Sequence, residues 1–113
     1  SLAFDHHFFT HHLSLDNTWK YTLFVPDFEV STQKARAILP DSYDRKTAAS
    51  NGAHAALLVE ALRTGNMDLL KISAVDAIHE PYRKQLIHEF EDIKNIVSKY
   101  GVFLISGSGS TCL

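Results

Sequence analysis

Apolar residues occur along the chain in short continuous blocks and in longer stretches with helical spacing. The block YTLFVP, residues 21–26, joins aromatic and β-branched residues and is stopped by proline, which predicts a buried strand. A second block, VFLI at 102–105, predicts a four-residue buried strand that runs straight into the loop SGSGST. Between these blocks the spacing is helical. In STQKARAIL, Ala35, Ile38 and Leu39 follow a cap candidate at Ser31 or Thr32, predicting a short helix that Pro40 ends. Residues 43–64 have the strongest periodicity, with Ala49, Ala53, Ala56, Leu57, Val59 and Leu62 on a broad apolar stripe and Gly65 at the C-terminal position. Asn66 can cap a further helix over 67–78 that buries Leu69, Leu70, Ile72 and Val75. Pro81 interrupts, and Phe90, Ile93, Ile96 and Val97 then make an amphipathic helix that stops at Gly101. The first twenty residues mix aromatics with His6, His7, His11 and His12 and read as strand or irregular structure.

The order strand, helices, strand, glycine loop indicates a layered α/β or α+β unit with helices on one face of a sheet. Two strands do not make a stable sheet, so further strands are expected from a longer chain or from another chain. The start at Ser1 and the end at Leu113, just past the glycine loop, lead to the same expectation.

Composition narrows the function classes. Of 113 residues, 45% are hydrophobic and 21% charged, an ordinary globular balance that argues against disorder. The 11 basic and 13 acidic residues leave a net charge of -2, so no basic surplus exists to neutralise a run of phosphates, and nucleic acid is not an expected partner. Cys112 is the single cysteine, which excludes an internal disulfide and suits a reducing compartment. No apolar run approaches the roughly 20 residues that span a bilayer. The opening SLAFDHHFF lacks the features of a signal peptide. The expectation is a soluble, cytoplasmic domain with no membrane partner.

Four features could carry chemistry. The loop at 106–111 places Gly107 and Gly109 directly after an apolar strand, where positive φ and close backbone approach to a ligand become possible. Its N–H groups could surround an anion, aided by any helix beginning after it, but a ligand-free tight turn fits equally. It is not a P-loop, because no lysine stands beside Ser110 or Thr111 and the glycine spacing differs. In HEPYR, Arg83 offers a rigid donor fork suited to a carboxylate or phosphate, although a surface arginine is the blander reading. His79 suits a helix C-terminal end better than a general base. Arg36 follows the first buried strand, and ion pairing to Glu29 or Asp41 is its structural alternative. His7 and His11 would share a face if helical, with Asp5 adjacent, yet no HExxH pattern or nearby cysteine accompanies them, and no metal is expected. Cys112 has no evident histidine base, so cysteine nucleophilic catalysis is not expected.

With these pieces in order, VPDFEVSTQKARAILP at 25–40 resembles a segment of homoserine kinases, members of the GHMP kinase superfamily. The likeness continues through Ser42, Tyr43 and Arg45, AALLVEAL, GNMDLL, HEPYRKQLI at 79–87 and VFLISGSGST, covering the chain from about Tyr21 onward. The resemblance implies an α+β fold: residues 21–113 as part of the ferredoxin-like C-terminal domain of a two-domain small-molecule kinase, incomplete here, with residues 1–20 outside the likeness. It implies transfer of the ATP γ-phosphoryl group to the hydroxyl of L-homoserine, a step toward threonine, in a homodimeric enzyme. ATP and Mg²⁺ would be bound mainly by an N-terminal domain, whose phosphate-wrapping PxxxGLGSSA loop is not found in these residues. Arg36 and Arg83 would hold the homoserine carboxylate, with Thr111 and the Gly109 backbone nearby. Ser106, Gly107, Ser108 and Ser110 would position the loop. No catalytic residue is assigned, and the chain alone is expected to be inactive. Glu80, Ser110 and His88 depart from the residues the family more commonly carries, which are glutamine at the first and proline at the other two. A non-catalytic binding or regulatory module, or a related kinase for another small alcohol, are the alternatives, and the pairing of STQKAR with HEPYR favours homoserine.

Overall fold

The computed structural model describes residues 2–4 and 7–113. Its elements are β1 (Leu2–Phe4), β2 (His7–Phe9), α1 (Thr32–Ala37), α2 (Arg45–Thr64), α3 (Met67–Ser73), α4 (Glu80–Arg83) and α5 (Phe90–Val97), with a 3₁₀ turn over Lys84–Leu86 between the last two. β1 and β2 pair antiparallel, with Leu2 opposite Phe9 and Phe4 opposite His7. His7 thus lies in a strand and His11 in a non-helical segment, so the shared helical face does not form. His6 and Asp5 lie outside the described residues.

Helix starts follow local chemistry. Ser31 caps α1 by accepting from the Lys34 N–H at 3.0 Å, and Asn66 caps α3 by accepting from the Leu69 N–H at 3.0 Å. Asp44 caps α2 through the Thr47 N–H at 2.6 Å. Gly65 ends α2 in the left-handed region with φ 69°, as its position past the periodic stretch predicts.

Three expectations need correction. α3 stops at Ser73, not near Ile78, because side chains claim the next backbone donors: Asn51 Oδ1 accepts from Ala77, and Asp76 Oδ1 accepts from Ile78 and His79. Only Leu70 of its expected core set is buried, while Ile72 is 62% exposed and Val75 50%. HEPYR does not end a helix but begins one, since Pro81 occupies the first turn of α4, where its missing N–H costs nothing. The α2 stripe is largely uncovered. Ala61 is buried against neighbouring structure, but Leu57 and Val59 remain more than two-fifths exposed, because α2 packs chiefly on the short α3.

The two expected strands do not form ladders. Phe24 and Ile105 each make one antiparallel bridge, both to Cys112. Phe24 and Cys112 exchange both backbone bonds, at 2.9 and 3.0 Å, and Leu104 and Leu113 do likewise at 2.9 and 2.7 Å. The chain after the glycine loop therefore returns as an extended segment between 24 and 105, and the loop is a hairpin turn with no helix following it among residues 111–113. Residues 21–26 are not a buried strand: Tyr21 and Val25 are 78% and 73% exposed, since one neighbouring segment covers one face at most. Of 102–105, only Phe103 is fully buried.

The core sits beneath this bridge. Ile87, Phe90, Phe103 and Cys112 form it, with Phe28, Ile93, Val97 and Ile105 packed around them. Phe103 meets Phe24 edge-on at 5.5 Å and Phe90 at 5.2 Å. Burying each of Phe90 and Phe103 contributes about 1.5–3 kcal/mol, enough to fix α5 against the strand that carries the hairpin. Lys94 of α5 pairs with Glu80 at the start of α4, so the glutamate is used as an ion-pair partner. No described helix is long and apolar enough to cross a membrane.

Candidate functional site

The site is built around the hairpin turn at 106–111. Gly107 and Gly109 take φ of 64° and 95°, a conformation that side chains with a Cβ rarely adopt, so the SGSGS pattern is a requirement of the turn itself. The Ser106 N–H donates to the Thr111 carbonyl at 2.9 Å, and the Gly109 N–H donates to the Ser106 carbonyl at 3.3 Å, closing the turn from within. A Cβ at Gly109 would stand 3.5 Å from Ile87 Cδ1 of the core, Thr111 is half-buried, and Ser108 lies with its Oγ 3.4 Å from the Thr32 hydroxyl.

Arg83 links this turn to α1. Its Nε donates to the Ala35 carbonyl at 3.0 Å and its Nη1 to the Gly107 carbonyl at 3.3 Å. Pro81 fixes the backbone that launches α4, which delivers Arg83 at its last position. Two of the five guanidinium N–H groups are thereby engaged, leaving Nη2 and one hydrogen on Nη1 for a ligand. Ala35 is fully buried, and the next residue is Arg36, in the last turn of the same helix. Arg36 is exposed and makes no ion pair with Glu29 or Asp41, so its structural alternative is not realised. The structure thus joins Arg83, Gly107 and α1 directly, with Gly109, Ser110 and Thr111 carried on the same turn.

Residues around the site were not all anticipated. Tyr43 Oη donates to the Ile78 carbonyl at 2.6 Å and its ring meets Tyr82 edge-on, which braces the backbone leading into α4. Removal from water raises the Tyr43 pKa, with nearby Tyr82 and Asp76 adding to it, so the phenol stays a donor. The carbonyls of Phe28 and Ala35 act as acceptors, a role no side-chain pattern announces. His79 stands at the N-terminal end of α4, not at a helix C-terminus, with Nδ1 3.1 Å from Asp76 Oδ2. Burial pushes the Cys112 thiol up, which disfavours the thiolate a nucleophile needs. Among the described residues, no group of three or more histidines, cysteines or carboxylates gathers to hold a metal.

The chain is similar to known proteins over most of its length. Residues 58–113 match the family model described as GHMP kinases C terminal. Homoserine kinase of Caldicellulosiruptor saccharolyticus is 41% identical over 99 residues, covering 86% of this chain and 32% of that protein. Homoserine kinase of Synechocystis is 43% identical over 93 residues, covering 80% and 30%. The crystal structure of homoserine kinase from Cytophaga hutchinsonii aligns with a TM-score of 0.74 at 34% identity, covering 80% of this chain and 29% of that one. The chain spans about a third of the length of the relatives it matches. The family match, the identity shared with several relatives and the common fold agree: this chain, a mixed helix-and-strand portion of a C-terminal domain, belongs to the GHMP kinases.

Proposed function

We propose that the chain is the acceptor-side portion of a homoserine kinase, which transfers the γ-phosphoryl group of ATP to the side-chain hydroxyl of L-homoserine. The observation that carries this reading is the guanidinium of Arg83, tied at once to Ala35 of α1 and Gly107 of the hairpin. That double tie sets Arg83 beside the helix bearing Arg36 and beside the turn bearing Gly109 and Thr111. A guanidinium fixed at a glycine turn, with a second arginine on the adjoining helix, suits an amino-acid carboxylate, which it can meet with paired charge-assisted bonds. Phosphoryl transfer depends on positioning and electrostatic stabilisation, and a fixed acceptor hydroxyl supplies the first. Ser106, Gly107, Ser108 and Ser110 shape the turn, and ATP with Mg²⁺ is held mainly by residues outside this chain.

In this reading residues 21–113 belong to a ferredoxin-like C-terminal domain. The apolar groove of about 580 Å³ between Trp19, Leu62, Leu70, Val97 and Leu104 supports further strands or helices of that domain packing there. The proposed enzyme is a cytoplasmic homodimer that acts in threonine biosynthesis. The test is a coupled ADP-release assay on the full-length protein with L-homoserine and Mg²⁺. Homoserine-dependent turnover is expected there and none from the 113-residue chain by itself. A full-length protein that turns over another small alcohol and not homoserine would overturn the reading.

A further inference from the structure

Ser110 lies between Gly109 and Thr111, and its side chain has a partner of its own. The residue is 8% exposed, and its hydroxyl donates to the Phe28 carbonyl at 2.7 Å, across 82 positions of sequence. That acceptor is held by packing: the Phe28 ring lies against the core and meets His88 edge-on at 5.6 Å. Shortly beyond Phe28 the chain reaches Ser31, the cap of α1, and then Ala35 and Arg36. The hairpin is therefore fastened to the α1 region from two ends, by Arg83 at Gly107 and by Ser110 at Phe28.

We propose that Ser110 is a positioning residue for the acceptor site, its bond to the Phe28 carbonyl holding Gly109 and Thr111 in register with Arg36 and Arg83. The proposal rests on the homoserine kinase reading for its substrate. Its physical basis is the cost of opening: the internal bonds of the turn close it on itself but do not fix it against its surroundings. Two positive-φ glycines leave its backbone free to swing, and the Ser110 hydroxyl ties it to Phe28 by a buried hydrogen bond. Without it the turn samples orientations in which the site is not assembled, and apparent affinity falls in proportion to the competent fraction.

The test compares the full-length enzyme with Ser110→Ala and Ser110→Thr, reading steady-state kinetics and amide hydrogen exchange. Loss of one buried hydrogen bond predicts a homoserine KM raised about threefold to tenfold in the alanine variant. The ATP KM and kcat should stay within about twofold, and the threonine variant should recover the homoserine KM because it keeps the hydroxyl. Amides of residues 107–111 should exchange faster in Ser110→Ala while those of α2 are unchanged. An unchanged homoserine KM, or unchanged hairpin exchange, overturns the proposal. If the alanine variant loses α2 protection as well, Ser110→Cys, which keeps a weaker donor, decides by the same two readouts. Wild-type enzyme without homoserine turnover would instead sink the functional reading, and hairpin exchange alone would then decide whether Ser110 fastens the turn.

Discussion

The Nε of Arg83 donates to the carbonyl oxygen of Ala35 at 3.0 Å, joining residues 48 positions apart. This bond orients the guanidinium plane before any ligand arrives. A free arginine would lose rotamer freedom on capturing a carboxylate, and one already held by Ala35 and Gly107 loses less. The same bonds make Arg83 a structural strut, so its two roles have to be separated by experiment.

Replacing Arg83 with alanine should reduce homoserine use far more than use of an amino alcohol that lacks the carboxylate. Truncation that leaves the substrate carboxylate buried without its partner costs roughly 2–5 kcal/mol, or roughly thirtyfold to a few thousandfold in kcat/KM, and the half-buried setting of Arg83 puts the expected loss toward the lower end. The strut's two hydrogen bonds, from the guanidinium to neutral carbonyls, serve both substrates alike, so the difference between the two losses isolates the carboxylate contact. Comparing kcat/KM for the two substrates is the measurement. Equal losses would make Arg83 a strut and nothing more.

Arg36 should show the opposite balance between stability and activity. It is exposed and has no ion-pair partner among the described residues, so Arg36→Ala should change unfolding free energy by no more than about 0.5 kcal/mol. If it helps hold the acceptor carboxylate, homoserine KM should nevertheless rise at least about tenfold, as expected for a lost charge-assisted bond. Thermal unfolding and homoserine kinetics on one preparation check both halves. A large loss of stability with unchanged KM would contradict the assignment.

The contrast between the two arginines reflects what the sequence makes legible. Caps at Ser31 and Asn66 and the stop at Gly65 depend on interactions within one turn, and local spacing revealed them. The return of 111–113 between Phe24 and Ile105 depends on pairing between distant segments, which no local pattern encodes. The same holds for Arg83 and Ser110, whose acceptors are backbone carbonyls that every residue type carries. Periodicity overstated burial on α2 and α3 because an apolar stripe reports what could be covered, while Leu57 and Ile72 remain 43% and 62% exposed. HEPYR misled through Pro81, which serves in a first helical turn as readily as it ends a helix.

Gly65→Ala should destabilise the fold by about 1–3 kcal/mol, combining left-handed strain with a clash. A Cβ there would stand 2.7 Å from Asp16 Cγ, and the Asp16 N–H already donates to the Leu62 carbonyl at 3.0 Å, which limits how far that segment can withdraw. Chemical denaturation should show a lower midpoint with unchanged slope. An unchanged midpoint would mean that residues 16–18 shift freely away from the end of α2.

Asp44 gives the fold a pH dependence of defined sign. Hydrogen bonding from Thr47, through its side chain first and its backbone N–H second, holds the Asp44 carboxyl below its ordinary value of 3.8. A carboxyl whose folded pKa is lowered adds stability that is complete above the unfolded value and disappears as pH falls through the folded one. The cap on α2 should therefore weaken progressively from about pH 4 downward, where the unfolded state takes up the proton first. Asp44→Asn keeps a capping oxygen but has no proton to gain, so it should flatten this part of the acid-unfolding profile while leaving α2 capped near neutral pH. Asp44→Ala should lose the cap at every pH. Denaturant midpoints for the three proteins between pH 3 and pH 7 decide the matter: parallel curves for wild type and Asp44→Asn would show that the Thr47 contact does not couple the carboxyl to folding.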